Sequence, residues 1–312
     1  MSAIKELSLE HARAFLLNYY QQDQLEVFPA GRGAWSQCFA FSYQGKELVI
    51  RFGQHLDDFL KDRLASQYSG QALPIPEVLD IGKTDGGFYA ISARAFGSPL
   101  EKLGRHDWLK TLPSLISCLE ALRFADLSGS TGYGSWRETG EGTRASWSEH
   151  LLRVNLDTPA QRTQGWRSKL AKHAFADETF TWAYSLLQER VDDAIPRSLV
   201  HADLINRNVL VKDHQISGVF DWGCALYGDH LYDLAWLEFW APWYPEHDLA
   251  LLKSALEQSW RNGNYFPTNY QNRLDVCYLH IGLDHLAYNA HLENWSDLEA
   301  TAKRMRHLLS PV

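Results

Sequence analysis

Apolar residues recur at three- and four-residue spacing over residues 9–20, which predicts an amphipathic helix opened by Ser8 as its N-cap. The period then changes. Residues 39–43 alternate apolar with small or polar positions, Gln44-Gly45 supplies a turn, and 47–52 alternate again, the pattern of a hairpin. Helical spacing returns over 57–69, with Phe59, Leu60 and Leu64 apolar, and Pro74 and Pro76 end it. Two more strands are predicted at 78–81 and 88–93 around the turn Asp85-Gly86-Gly87.

Beyond the break at Gly97-Ser98-Pro99 the pattern is mostly helical. Helices are predicted at 108–125, 147–153, 163–174 and 179–191, and again from Tyr232 onward. Residues 129–142 read as a Gly-rich loop, and a β-like island spans 199–222. No internal repeat or low-complexity tract interrupts the chain. The expected fold class is α+β with two lobes: a small β-rich lobe over 1–96 and a larger helical lobe over 97–312. Ligands commonly bind in the cleft between such lobes.

Composition narrows the function without naming it. The 312 residues are 45% hydrophobic and 22% charged, as in a folded globular protein. The net charge is −8 and no run of Lys or Arg occurs, so a nucleic-acid partner is not expected. Cys38, Cys118, Cys224 and Cys277 are far apart, which suggests neither zinc nor a redox dithiol. No stretch of about 18 apolar residues is present, so no membrane span is expected. Glu6, Glu10, His11 and Arg13 break up the N-terminal apolar residues, which argues against a signal-peptide core. The expectation is a cytoplasmic monomer.

The chemistry concentrates in the island. It reads His201-Ala202-Asp203, then Asn208 five residues after the aspartate, then an apolar strand, and after a second apolar strand Asp221-Trp222-Gly223. Phosphoryl transfer needs this set. A divalent metal must neutralise the phosphates, and Asn208 and Asp221 can offer it oxygen ligands. The acceptor hydroxyl needs a separate carboxylate, a role that fits Asp203 as catalytic base. The spacing matches the protein-kinase catalytic loop H-R-D-x-x-x-x-N and its D-F-G aspartate. His201 reads as a packed histidine that holds the loop. The other reading of the island is a solvated hairpin with incidental acids, which residue types, order and flanks together oppose.

Upstream, Gly31 to Gln37 lies where a phosphate-covering loop belongs, before the first expected strand, and Gly33 and Ser36 are its candidate nucleotide contacts. It is not a P-loop, since no Gly-Lys-Ser/Thr follows. The strand 48–52 supplies Arg51 where a kinase carries lysine, with Asp62 on the next helix as its candidate partner. Trp236 reads as core, whereas Trp240 and Trp243 flank Pro242 at a helix end and could stack on a sugar or a cation.

With these motifs in view, the chain resembles the aminoglycoside phosphotransferase family, a branch of the protein-kinase-like fold. The likeness rests on 201–210, on Val219 to Trp222 and on Gly228 to Ala235. The Leu73-Pro74-Ile75-Pro76-Glu77-Val78-Leu79 run and Trp240-Ala241-Pro242-Trp243 resemble the hygromycin branch. The resemblance implies ATP, Mg²⁺ and an antibiotic hydroxyl as acceptor, with Asp203 as base and Asn208 and Asp221 as metal ligands. It implies that Asp233 braces the catalytic loop. Glu149 and Asp284 are the acids expected beside the amines of the substrate, together with Trp240 and Trp243. Arg207 is a departure, standing where the hygromycin branch is expected to carry an uncharged Asn. Two other readings stay open: a related kinase acting on another amino-sugar, amino alcohol or metabolite, and a nucleotide-binding protein without catalysis.

Overall fold

The computed structural model describes residues 7–33, 36–137, 139–205 and 207–309. Ser8 accepts a hydrogen bond from the His11 N–H and opens α1 (Leu9–Tyr20), whose Ala12 and Leu16 are buried. Then follow β1 (Val27–Arg32), β2 (Ser36–Tyr43), β3 (Lys46–Gly53), α2 (Leu56–Ala65), β4 (Val78–Thr84) and β5 (Gly87–Ala93). The five strands form one antiparallel sheet in the order β1-β2-β3-β5-β4. Gln44 and Gly45 both take positive φ at the tip of the expected hairpin, which sets Phe41 opposite Leu48 and Phe39 opposite Ile50. Those side chains pack with Phe52, Ile91 and α1 into a small core. Tyr19 and Tyr89 each donate a 2.7 Å hydrogen bond to Asp80, which fastens α1 to the sheet.

One strand escaped the pattern. β1 contains Pro29 and Gly31 and buries only Val27, so it has no alternation to read. The segment Gly31 to Gln37 is therefore the hairpin between β1 and β2 rather than a loop ahead of the first strand. Its Ala34 and Trp35 lie outside the described residues.

The larger lobe runs β6 (Ser98–Pro99), α3 (Arg105–Arg123), β7 (Tyr133–Trp136), β8 (Gly142–Arg144), α4 (Trp147–Leu152), α5 (Trp166–Leu170) and α6 (Ala174–Arg190). It continues with β9 (Ser198–Val200), β10 (Val209–Lys212), β11 (Gln215–Val219), β12 (Leu226–Gly228), α7 (Leu231–Trp240), α8 (Leu249–Asn262), α9 (Tyr270–Leu292) and α10 (Trp295–Leu309). α9 is its central post, buried on most of its faces, and α10 lies so close that a Cβ at Gly282 would meet Met305 at 2.5 Å. The Gly-rich segment 129–142 is not all loop, because Tyr133–Trp136 pairs with β12. The helix expected over 163–174 shrinks to the five residues of α5, while α6 begins earlier than expected.

The two cores do not part at one point of the chain. Ala65, Leu73 and Ile75, from before the expected boundary, belong to the larger core. Polar ties join the same regions. Lys61 on α2 donates to Ser135 Oγ at 2.8 Å and to the Gly223 carbonyl at 2.7 Å, and Arg162 forks onto Asp57 and Asp58. Among the described residues no helix is long and apolar enough to cross a membrane.

Candidate active site

The catalytic loop is fixed from beneath. β9 ends at Val200 and β10 starts at Val209, so residues 201–208 must turn sharply, and Ala202 and Arg207 take φ of 62° and 71°. Asp233, buried on α7, accepts the backbone N–H of His201 at 2.9 Å and of Ala202 at 2.8 Å. These bonds hold a backbone that an L-residue rarely adopts. The His201 ring is fully buried, with Nε2 on the Phe220 carbonyl at 3.1 Å and Nδ1 accepting the Asp203 N–H at 3.2 Å. Burial lowers its pKa to about 4, so the ring is a neutral strut between the catalytic loop and the strand that leads to Asp221.

On this base Asn208 donates its amide hydrogens to the Asp203 carbonyl at 2.9 Å and to its carboxylate Oδ2 at 3.0 Å. The amide nitrogen is thereby committed, and the oxygen is what Asn208 can offer a cation. Hydrogen bonding between the antiparallel β10 and β11 returns the chain, so Asp221 arrives beside Asn208, and Phe220 N–H donates to the Asn208 carbonyl at 3.0 Å. Asp221 sits in the left-handed region (φ 66°), which turns its half-exposed carboxylate out of the strand.

Arg51 comes from β3 across the cleft. It is ion-paired with Asp62 and reaches Asp221 Oδ1 at 3.2 Å, while its guanidinium lies over the Phe59 ring. Burial works against its charge, and the two carboxylates outweigh that effect. Asp62 also accepts the Trp222 N–H at 2.8 Å, so one carboxylate orients both the cation and the loop that carries Asp221. Gly33 and Ser36 line the same cleft, but the Gly33 N–H is spent on the Ser36 carbonyl at 2.9 Å. What the β-hairpin offers a nucleotide from Gly33 is close backbone, not that donor.

The cleft has a volume of about 1050 Å³ and continues past Asp203 to a wall built by α7 and α9. Trp240 and Trp243 meet edge to face at 5.2 Å there, and Trp243 is 40% exposed. Asp284 lines the wall as expected, and its enclosure raises its pKa. Glu149 does not line the cleft, contrary to expectation. Its carboxylate caps its own helix by accepting the Ala145 N–H at 3.0 Å, while its N–H donates to Ser146 Oγ, an arrangement its place in the first turn of α4 favours. Trp236 is buried as expected, yet its edge reaches the cleft.

Several lining groups escaped the sequence reading: His150, His280, His285 and Tyr288 on the far wall, and Arg162 near α2. Part of a signal was present. His280, Asp284 and Tyr288 recur at intervals of four and share one face of α9. Nothing in the sequence ties His150 to that face.

A carboxylate bonded to an amide, a second carboxylate and a clamped arginine around one cleft match the layout of a kinase. The sequence profile described as the phosphotransferase enzyme family matches residues 51–266. The chain belongs to that family. As a member it is a phosphotransferase with the kinase-like α+β fold. Hygromycin-B 4-O-kinase of Escherichia coli is 31% identical over an alignment of 291 residues that covers 90% of this chain and 79% of that one. The crystal structure of a thermostable mutant of aminoglycoside phosphotransferase APH(4)-Ia, in ternary complex with AMP-PNP and hygromycin B, superposes with a TM-score of 0.80. It is 27% identical, covering 95% of this chain and 97% of that one. The gentamicin complex of APH(2")-IIa, at 14% identity and a TM-score of 0.57 with 98% and 97% covered, shares the fold alone.

Proposed function

We propose that the chain transfers the γ-phosphate of ATP to a hydroxyl of an aminoglycoside, hygromycin B, and so protects a cell from it. The observation that carries this reading is the contact of Asn208 with Asp203 beside Asp221 and the Arg51–Asp62 pair, all on one cleft that ends in an aromatic and acidic wall.

Asp203 orients the acceptor hydroxyl and takes its proton. The amide of Asn208 keeps the carboxylate in place, and Asp233 and His201 fix the loop beneath. Arg51 meets the phosphates from the small lobe, held by Asp62. Asn208 and Asp221 would hold a Mg²⁺ through an amide and a carboxylate oxygen. When bound, that ion neutralises the charge on the β- and γ-phosphates. The indole faces of Trp240 and Trp243 suit sugar rings, and Asp284 suits an ammonium. Arg207 also lines the cleft and opposes a cationic acceptor, by about 1 kcal/mol when solvent screens the pair.

The test is ADP release on addition of hygromycin B to the protein with ATP and Mg²⁺. Release that depends on the antibiotic supports the reading; release indifferent to it assigns the activity to another acceptor.

A further inference from the structure

His150 is one of several cleft-lining residues with a buried, unpartnered polar atom, beside Trp236 and Trp240 with their Nε1. It sits on α4 and lines the cleft, yet its Nε2 is buried without a hydrogen-bond partner. Such an orphan costs about 1–3 kcal/mol and calls for an explanation. Its ring cannot swing aside on the far edge, because β7 is packed against Nδ1. A Cβ at Gly134 would lie 2.6 Å from that atom, and Gly134 has a φ of 76°. The ring is also stacked against Trp147 at 5.2 Å. On its other side the His280 ring lies 5.3 Å away, and His280 Nδ1 is bonded to the Tyr232 hydroxyl at 2.9 Å. Asp284 stands one turn further along α9 from His280, on the same face.

We propose, resting on the reading above, that His150 and His280 with Asp284 form a subsite for an amino-hydroxyl unit of the acceptor, the hydroxyl on the imidazoles and the ammonium on the carboxylate. Charge sorts the two ends. Burial, then Arg144 and Arg153, lower the pKa of His150 to about 4, and burial, then His150 and His285, push His280 well down. Both rings are neutral near pH 7 and can accept or donate to a hydroxyl. Arg144, which lies 3.9 Å from Glu149, and Arg153 both act against positive charge at His150, while Asp284 attracts an ammonium. A neutral sugar would leave Asp284 with His285 alone beside it, and an acidic one would meet it head on. His150 and His280 act here as specificity-determining residues remote from the transferred phosphate.

The experiment is steady-state kinetics of the full chain and of His150→Phe and His150→Gln with hygromycin B, alongside thermal midpoints. Phenylalanine keeps a ring but loses the nitrogen; glutamine keeps a polar group in reach. The expected result is a KM for hygromycin B raised about tenfold in His150→Phe, as loss of one hydrogen bond implies. The KM for ATP should stay within about twofold, and His150→Gln should recover most of the loss. An unchanged antibiotic KM in His150→Phe overturns the proposal. So does a matching rise in the KM for ATP, or a His150→Gln no better than His150→Phe, since either result reduces His150 to packing. If the parent protein does not turn over hygromycin B, the reading it rests on fails separately. The subsite is then read from NMR titration with 2-deoxystreptamine, a bare amino-cyclitol. His150→Phe must weaken that binding, and equal binding by parent and variant overturns the subsite.

Discussion

Asn208 donates to the Asp203 carboxylate at 3.0 Å and to the carbonyl of the same residue at 2.9 Å, so the proposed base and the proposed metal ligand are one rigid unit. Replacing either should not have the same effect. Asp203→Ala removes the proton acceptor and should lower kcat by roughly 10²–10⁴ while ATP binding persists. Asn208→Ala frees the carboxylate and removes a Mg²⁺ ligand, so it should weaken Mg²⁺-dependent ATP binding as well. Turnover together with ATP titration with and without Mg²⁺ separates the two. Near-parent turnover in Asp203→Ala would exclude its role.

Arg51 and Asp62 form the second unit, each with only 13% of its side chain exposed. Arg51→Ala leaves Asp62 largely buried and unpaired, at a cost of about 3–5 kcal/mol. It should also raise the KM for ATP. Arg51→Lys keeps the charge but loses the fork and should fall between. Adding Asp62→Ala to Arg51→Ala should return part of the stability but none of the ATP affinity. Urea midpoints and ATP kinetics on the four proteins check this, and equal ATP kinetics throughout would leave Arg51 a structural role only.

The buried His201 makes stability depend on pH. Its pKa is lowered to about 4 in the fold, against about 6.5 unfolded, so protonation favours the unfolded chain. Its contribution is fully present above pH 6.5 and is lost as the pH falls toward 4, about 3 kcal/mol in all. His230, on the 229–232 turn and also lowered to about 4, adds a slope of the same sign. Burial raises Asp62 to about 6 and Asp233 to about 7, and both act with the opposite sign over this range, so the test is a difference: in denaturant unfolding between pH 4 and 7, the stability curve of His201→Asn should rise less with pH than that of the parent. A curve of equal steepness in the variant would contradict it.

On the acceptor side, Trp243 is 40% exposed and Trp240 packs against Trp236, Phe239 and His285. Trp243→Ala should therefore raise the KM for the antibiotic much more than that for ATP at little cost in stability, whereas Trp240→Ala should also lower the thermal midpoint. Arg207→Asn should improve antibiotic affinity by up to about fivefold if the like-charge repulsion holds. Kinetics with both substrates and melting curves distinguish these outcomes.

The catalytic island was legible because its residues are close in sequence and separated by strands of fixed rise. Once 209–212 and 215–219 are strands, Asn208 and Asp221 must meet. The hairpins were equally plain, since Gln44-Gly45 and Asp85-Gly86-Gly87 mark their tips. What stayed hidden joins distant segments. β7 and β12 are four and three residues long, too short to show alternation, and pair across ninety residues of chain. Glu149 was misjudged because a first-turn acid serves its own helix as readily as a ligand, and only the direction of its side chain decides. His150 and His280 lie 130 residues apart, and only the packing of α4 against its neighbours makes them a pair.

The most direct measurement is mass spectrometry of hygromycin B after incubation with the protein, ATP and Mg²⁺, run in parallel with Asp203→Asn. The account predicts an antibiotic heavier by one phosphoryl group from the parent protein, formed at least about 10²-fold more slowly by the variant. Unmodified antibiotic from the parent, or equal product from both, would contradict it.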